Sequence, residues 1–282
     1  MTSRIIGKIH LGGSVWRLRL AAPLIARERK AGQFVILRVD PEWGERIPLT
    51  IADADVNAGT IDVIFQVAGA STESLSRLES GDELADLAGP LGRPSEVSAP
   101  EDRAKNRVIV IGGGVGIAPA HSVAQAMKAA GNHVVSIIGA RTAELLIMEE
   151  ELLRASHELI IVTDDGSRGR KGLVTAPLGE ILAADGASVR EVVVFGPPVM
   201  MKSCAEATRP FGVKTTASLT AVMIDGTGMC GGCRVTVGGE TKFVCVDGPE
   251  FDAHKVDFDN LIRRLSAFRK EEYHKCRSGI FG

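Results

Sequence analysis

Hydrophobic and polar positions change rhythm twice along this chain, and each change marks a change of architecture. Over residues 3–90 the rhythm is short: SVWRLRL (14–20), QFVILRV (33–39), RIPLTIA (46–52) and TIDVIFQV (60–67) are apolar or alternating runs separated by Gly, Pro, Asn and Asp. Alternation gives a strand one buried and one open face, so several short strands at this spacing predict a small antiparallel barrel. One stretch inside it, AGASTESLSRL (68–78), shifts to helical spacing with Gly69, Ser71 and Thr72 at its start. Such a start serves equally as a plain N-cap or as an anion site, because its unpaired N–H groups can face a phosphate.

The polar run SAPEDRAKN (98–106) reads as a boundary. Beyond it strands and helices alternate: RVIVIGG (107–113), a helix over 116–131, HVVSIIGA (133–140), a helix over 142–156, ELIIVTDD (158–165), a helix near 174–184 and REVVVFGPP (190–198). Continuous β-branched runs are what a parallel sheet buried on both faces demands, so a doubly wound domain is expected. Its ligands belong beyond the carboxyl ends of the strands. The loops GGGVGIAP, TDDGS and FGPP all fall there. Gly114 and Gly116 with Pro119 spell G-x-G-x-x-P, which departs from the dinucleotide fingerprint G-x-G-x-x-G, and no acidic residue directly ends the second strand.

The last change comes in DGTGMCGGC (225–233), completed by Cys245 in KFVCVDGPEF. Cys230 and Cys233 form a C-x2-C step, Asp225 stands five residues before Cys230, and Val235, Val237 and Phe243 flank a Gly238-Gly239 turn that returns the chain towards Cys245. This is the plant-type 2Fe-2S spacing with a carboxylate at the first ligand. Glycines 226, 228, 231 and 232 let the loop wrap tightly. The same thiols with His254 would also suit structural zinc, and Asp225-Gly226 is a turn signal whether or not it binds metal. A run with apolar residues at 258, 261, 262, 265 and 268 predicts an amphipathic helix within 257–276. Three segments follow: a barrel over 1–98, a nucleotide domain over 99–215 and a cluster segment with its helix over 216–282.

Composition narrows the chemistry. A net charge of -2 gives no basic field and 4% aromatic residues give few stacking surfaces, so nucleic acid is not an expected partner. The apolar run at 108–120 is too short and glycine-rich to span a bilayer, and MTSRIIGKIH has no apolar signal core. A cytoplasmic protein with reduced thiols is expected, which disfavours a disulfide scaffold and leaves Cys204 and Cys276 as ordinary thiols.

Taken in this order, the three signals resemble the ferredoxin-NADP reductase superfamily, in the branch of dihydroorotate dehydrogenase electron-transfer subunits. Within that branch they are most similar to the small (alpha) subunits of NADH-dependent reduced ferredoxin:NADP oxidoreductases, also called sulfide dehydrogenase beta subunits. Asp225 in MIDGTGMCGGCR is the most specific piece, since Asp joins three Cys on the 2Fe-2S cluster there. The resemblance implies an oxidoreductase subunit passing electrons between NAD(H) or NADP(H), FAD and a 2Fe-2S cluster. Its partner would be a larger flavin and iron–sulfur subunit, with ferredoxin reached through that heterodimer. The alternatives are the same chemistry serving dihydroorotate oxidation and a non-catalytic nucleotide-binding protein with a zinc ribbon.

The resemblance also assigns residues. The flavin motif falls on Arg46, Pro48, Leu49 and Thr50, with Leu49 where an aromatic would stack on the flavin and Arg46 displaced by one position. Gly69, Ser71 and Thr72 correspond to the phosphate-binding helix start. Gly112, Gly113, Gly114, Gly116 and Pro119 correspond to the pyridine-nucleotide loop. Asp164, Asp165 and Gly166 line the nucleotide site in relatives, and Gly196 and Pro197 belong to a C-G-P-P motif whose cysteine is here Phe195. Arg141 could meet a 2′-phosphate or cap a helix. Asp225, Cys230, Cys233 and Cys245 are the implied cluster ligands. Hydride transfer needs cofactors held in place rather than a protein acid or base, so no catalytic dyad is expected.

Overall fold

A computed structural model describes residues 3–42 and 44–267. The chain divides into two compact units, one made of Met1–Arg93, Thr220–Pro249 and Asp257–Gly282, the other of Pro94–Leu219 and Glu250–Val256.

In the first unit, strands β1 (Ser3–Gly12), β2 (Val15–Ala21), β3 (Phe34–Arg38), β4 (Arg46–Asp55), β5 (Thr60–Gln66), β6 (Glu83–Leu84) and β7 (Asp86–Leu91) form one sheet in the order β6-β1-β2-β5-β4-β3-β7. Every pairing in it is antiparallel. The edge strands β6 and β7 are separated in sequence by Ala85 alone. One residue cannot bridge a flat sheet of this width, so the sheet curls into a nearly closed barrel and hides its edges. Leu18, Leu20, Val35, Leu37, Ile47, Ile51, Ile61, Val63 and Phe65, taken at alternate positions, fill the interior. Helix α1 (Pro23–Glu28) and helix α2 (Ala70–Arg77) connect strands, and α2 buries Leu75 in the same core.

The second unit contains β8 (Arg107–Gly113), β9 (His133–Ala140), β10 (Glu158–Thr163), β11 (Arg170–Lys171), β12 (Val189–Phe195) and β13 (Lys214–Ser218) in the order β11-β10-β9-β8-β12-β13, all pairs parallel. An antiparallel strand, Glu250–Asp252, closes the β13 edge. Helices α3 (Ile117–Ala129), α4 (Glu149–Ala155), α5 (Thr175–Asp185) and α6 (Pro198–Thr208) connect the strands. Val108, Ile109, Val110 and Ile111 are fully buried in sequence, as a strand covered on both faces requires. The order reverses between β8 and β12, so the unit has a topological switch point there.

The expected helix over 142–156 is not continuous. A single turn at Ala143–Leu145 ends in extended chain, Met148 takes φ 57, and α4 spans only Glu149–Ala155. Leu146, Ile147 and Met148 are all buried, and three successive residues cannot share one helical face.

The expected cluster segment 216–282 is divided: Thr220–Pro249 and Asp257–Gly282 belong to the first unit, whereas 216–219 and 250–256 belong to the second, because their backbones pair into the parallel sheet and its antiparallel edge. Strands β14 (Arg234–Val237) and β15 (Glu240–Phe243) form the expected hairpin, and Cys245 lies beyond it in α7 (Val244–Asp247), a single turn. Helix α8 (Phe258–Leu265) buries Phe258 and Leu261, with Asp257 accepting the Asn260 N–H at 2.9 Å as its cap. Position 268, the rest of the expected helix and Cys276 lie outside the described residues. Among the described residues no helix is long and apolar enough to cross a membrane.

Candidate functional site

The loop 225–233 is built by hydrogen bonds to its own carboxylate. Asp225 accepts the Thr227 N–H at 2.8 Å and the Cys230 N–H at 2.9 Å, and these bonds hold its carboxyl below the ordinary range. The Gly232 N–H points at Cys230 Sγ, 3.4 Å away. Cys233 and Cys245 are both buried, with their sulfurs 3.2 Å apart. Burial and the neighbouring Cys233 push the Cys245 thiol up to about 12, while the Gly228 N–H favours its thiolate. The four described cysteines are free thiols, so the loop is not closed by a disulfide.

These donors fit an iron–sulfur centre. The candidate donors lie in two neighbourhoods, Asp225 on the Cys230 N–H and the Cys233 and Cys245 sulfurs side by side, and backbone N–H groups already point at sulfur. Bound metal would keep the buried thiols ionised, offsetting the cost that burial otherwise imposes on thiolate. His254, the fourth ligand of the zinc reading, instead meets Thr208 Oγ1 through Nε2 at 2.9 Å.

The loop packs on the barrel. Gly226 has φ +76, and a Cβ there would strike Ile36 Cδ1 and lie 3.2 Å from Leu91 Cδ1, so only glycine fits on both counts. Ile36 and Phe34 are buried, yet neither belongs to the barrel-core cluster; by alternation they face outward beneath the loop. Their β4 partners are Pro48 and Thr50, and Arg38 pairs with Arg46. Strand β4 therefore shows Arg46, Pro48 and Thr50 on the outer face, whereas Leu49 packs with Ile47 and Ile51 against the interior. The ligand loop and the expected flavin strand thus share one face of the barrel.

Around the β3–β4 connection the charges are sorted. Arg46 is spent on Asp86 at 3.1 Å. Arg38, which no motif singled out, has a buried Nε without a hydrogen-bond partner among the described residues. A Cβ on Gly44 would lie 3.0 Å from Arg38 Cγ, and the next residue, Glu45, accepts the Ser71 hydroxyl at 2.5 Å. Arg38 and the start of α2 therefore border the same short connection. Thr72 Oγ1 accepts the Ala68 and Gly69 N–H groups at 3.0 and 3.1 Å, so Thr72 shapes the helix start while Ser71 carries the accessible hydroxyl. A carboxylate at a helix N-terminus beside an arginine whose Nε has no partner among the described residues marks a place that suits an anion.

In the second unit the rim loops are tied in pairs. Gly112 and Gly113 end β8, and Gly114 and Gly116 form the turn into α3, on which Pro119 lies. A Cβ on Gly116 would lie 2.6 Å from Phe195 O and 2.8 Å from Gly196 N, so the glycine loop and the 195–197 loop touch at the switch point. Pro197 caps α6 there. Two positions along the rim, the Asp164 N–H donates to Ala140 O at 3.1 Å and the Asp165 N–H to Arg141 O at 3.3 Å. Asp165 accepts Ser167 N–H and Oγ–H at 2.9 and 2.6 Å, which lowers its carboxyl pKa, and the Ser167 hydroxyl accepts the Ala143 N–H at 2.8 Å. Arg141, Asp164, Asp165 and Gly166 are exposed along this second pair of loops.

A nearly closed antiparallel barrel, a parallel nucleotide-type sheet and a cysteine loop define a ferredoxin-reductase-like electron-transfer subunit. Residues 110–206 match the oxidoreductase NAD-binding domain, and residues 220–257 match the iron-sulfur cluster binding domain of dihydroorotate dehydrogenase B. The dihydroorotate dehydrogenase B electron transfer subunit homolog of Thermotoga maritima is 42% identical over 270 residues, covering 96% of this chain and 93% of that one. The dihydroorotate dehydrogenase B electron transfer subunit of Geobacillus thermodenitrificans is 32% identical over 259 residues, covering 89% and 96%. A chain from a structure of the NADH-dependent reduced ferredoxin-NADP oxidoreductase, solved to address flavin-based electron bifurcation, superposes with a TM-score of 0.88 at 39% identity over 97% of each chain. The protein belongs to the family of dihydroorotate dehydrogenase B electron-transfer subunits.

Proposed function

We propose that this chain passes electrons between NAD(P)H, FAD and a 2Fe-2S cluster, to or from a larger flavin and iron–sulfur partner, as a subunit of a ferredoxin:NADP oxidoreductase. The observation that carries this reading is the glycine-rich loop packed on the barrel, in which Asp225 holds the Cys230 N–H and Cys233 lies 3.2 Å from Cys245 across the hairpin. Asp225, Cys230, Cys233 and Cys245 would hold the cluster. FAD, when bound, supplies the exchange between two-electron hydride and the single electrons a cluster accepts.

The protein's own residues hold and tune. Arg38 and Ser71 would meet the flavin phosphates, Arg46 would do so only by leaving Asp86, and Pro48 and Thr50 line the outer face of β4. Gly69 opens α2, Thr72 shapes its N-terminus, and Leu49 braces the strand from the interior. The loop of Gly112, Gly113, Gly114 and Gly116, with Pro119, Gly196 and Pro197, would hold the pyridine nucleotide, and Arg141, Asp164, Asp165 and Gly166 its far end. No proton donor is needed to move a hydride, and the residues are arranged to position cofactors. The segments 1–98, 99–215 and 216–282 would serve flavin, nucleotide and cluster in turn, except that 94–98, 216–219 and 250–256 belong to the nucleotide unit.

The test is low-temperature EPR of anaerobically purified protein reduced with dithionite, with iron, sulfide, zinc and flavin quantified on the same sample. The expected result is a reduced 2Fe-2S signal with about two irons per chain and bound FAD. Stoichiometric zinc in an EPR-silent sample prepared under iron-replete conditions would overturn it. Service in dihydroorotate oxidation is the second reading, favoured by the 32% identity to a subunit of that enzyme. Reduction of the reconstituted complex by dihydroorotate would establish it.

A further inference from the structure

The turn that carries Cys245 is one helical turn long, too short to hold its own shape. Its support comes from a residue more than 150 positions earlier in sequence. Arg93, two residues beyond β7, donates from Nε to Val246 O at 3.1 Å, and its backbone N–H donates to Gly248 O at 2.7 Å. Its guanidinium also lies 3.7 Å from Asp247 Oδ1, while Asp247 Oδ2 accepts the Phe243 N–H at 2.7 Å. The first residue after the turn and the two that follow Cys245 are thus all held from one side chain and its own backbone. Nothing in the cluster motif marks Arg93.

We infer that Arg93 is a positioning residue for the cluster: it locks the Cys245 turn to the end of the barrel and adds a positive charge beside the iron site. This rests on the iron–sulfur reading above. Two consequences differ in kind. The hydrogen bonds fix where Cys245 Sγ stands, so their loss loosens the ligand. The charge favours the more negative, reduced cluster, so its loss lowers the midpoint potential, the more so because Asp247 remains behind.

The experiment compares wild type, Arg93→Gln and Arg93→Lys, each purified anaerobically with its cluster. Expected for Arg93→Gln are an affinity for iron about 10- to 100-fold weaker in competition with a chelator, the usual range for lost outer-shell support, a broadened reduced EPR signal and a lower potential. Arg93→Lys keeps the charge but not the Nε geometry, so it should restore the potential while leaving the signal broad. A potential and line shape in Arg93→Gln indistinguishable from wild type would overturn the inference. Should Arg93→Gln fail to fold, Arg93→Lys alone decides, because an unchanged EPR line shape in it removes the positioning role. A wild-type sample without iron and sulfide would instead sink the cluster reading, and the two failures are distinguishable.

Discussion

Gly226, the residue after the expected carboxylate ligand, is seated directly on Ile36 of the barrel. Its φ of +76 is one that L side chains rarely adopt, and a methyl group would collide with Ile36 Cδ1. Gly226→Ala therefore combines backbone strain with overpacking, each of order 1–3 kcal/mol. The loop should lift from the barrel, with lower iron content per chain and a lower Tm. Ile36→Val with Gly226→Ala should recover part of both losses, because it removes the Cδ1 atom that is struck. Full iron occupancy and an unchanged Tm in Gly226→Ala would show that the loop does not depend on this seat.

Asp225 organises the loop through its hydrogen bonds as well as offering oxygen to metal. Asp225→Cys should keep a 2Fe-2S cluster with a changed potential and changed EPR g values. Thiolate and carboxylate carry the same charge, so a Rieske-sized rise is not expected. Asp225→Ala removes both the ligand and the acceptor of the Thr227 and Cys230 N–H groups, and should lose most of the iron. Retention of an unaltered signal in Asp225→Ala would exclude Asp225 as a ligand.

The strands β8 and β9 form around their β-branched runs, because a strand buried on both faces needs an apolar centre. The ligand spacing was equally plain, since a metal loop is local. What the sequence concealed was non-local. Arg38 lies at the end of an ordinary strand, and only the nearly closed barrel shows that its Nε is buried without a partner among the described residues while Arg46 is taken by Asp86. Arg93 meets its partners across the 126 residues of the second unit that follow it in sequence, and such long-range hydrogen bonds leave no period to read. The break at Met148 arose because Leu146, Ile147 and Met148 all sought burial, where helical spacing alone predicted continuation.

In the second unit, Glu250 places its enclosed carboxyl against Ser95, whose hydroxyl donates at 2.5 Å, with Glu191, Glu96 and Lys214 nearby. Burial first, then the two glutamates, raise its pKa to about 7, against the pull of Ser95 and Lys214. Near pH 4 and below, both folded and unfolded chains hold the proton and Glu250 costs nothing. As pH rises, the unfolded chain ionises first, so stability falls from about pH 4.3 and levels off near pH 7, at most roughly 3 kcal/mol lower. Glu250→Gln keeps an acceptor for Ser95 and removes the titration. It should raise Tm at pH 8 and leave it unchanged at pH 4, as read by thermal unfolding across that range. An equal shift at both pH values would assign the effect to packing.

The ligand loop also wears an apolar collar: Met229 is 87% exposed, Ile224 59%, Val222 42% and Val246 38%. Solvent-exposed apolar side chains around a redox loop are costly for a chain that functions alone and useful to one that docks there. A partner exchanging electrons with the cluster has to approach this loop, and Met adapts its shape to such surfaces. Met229→Glu should therefore weaken association with the partner subunit at least tenfold, about 1.4 kcal/mol, in a binding titration. Its own EPR signal and iron content should stay those of wild type, because Met229 points away from the protein. Val56→Glu, at another exposed apolar position on the β4–β5 turn, serves as the control and should bind normally. If Met229→Glu binds as tightly as Val56→Glu, the partner reaches the cluster over another face, and the collar has a different purpose.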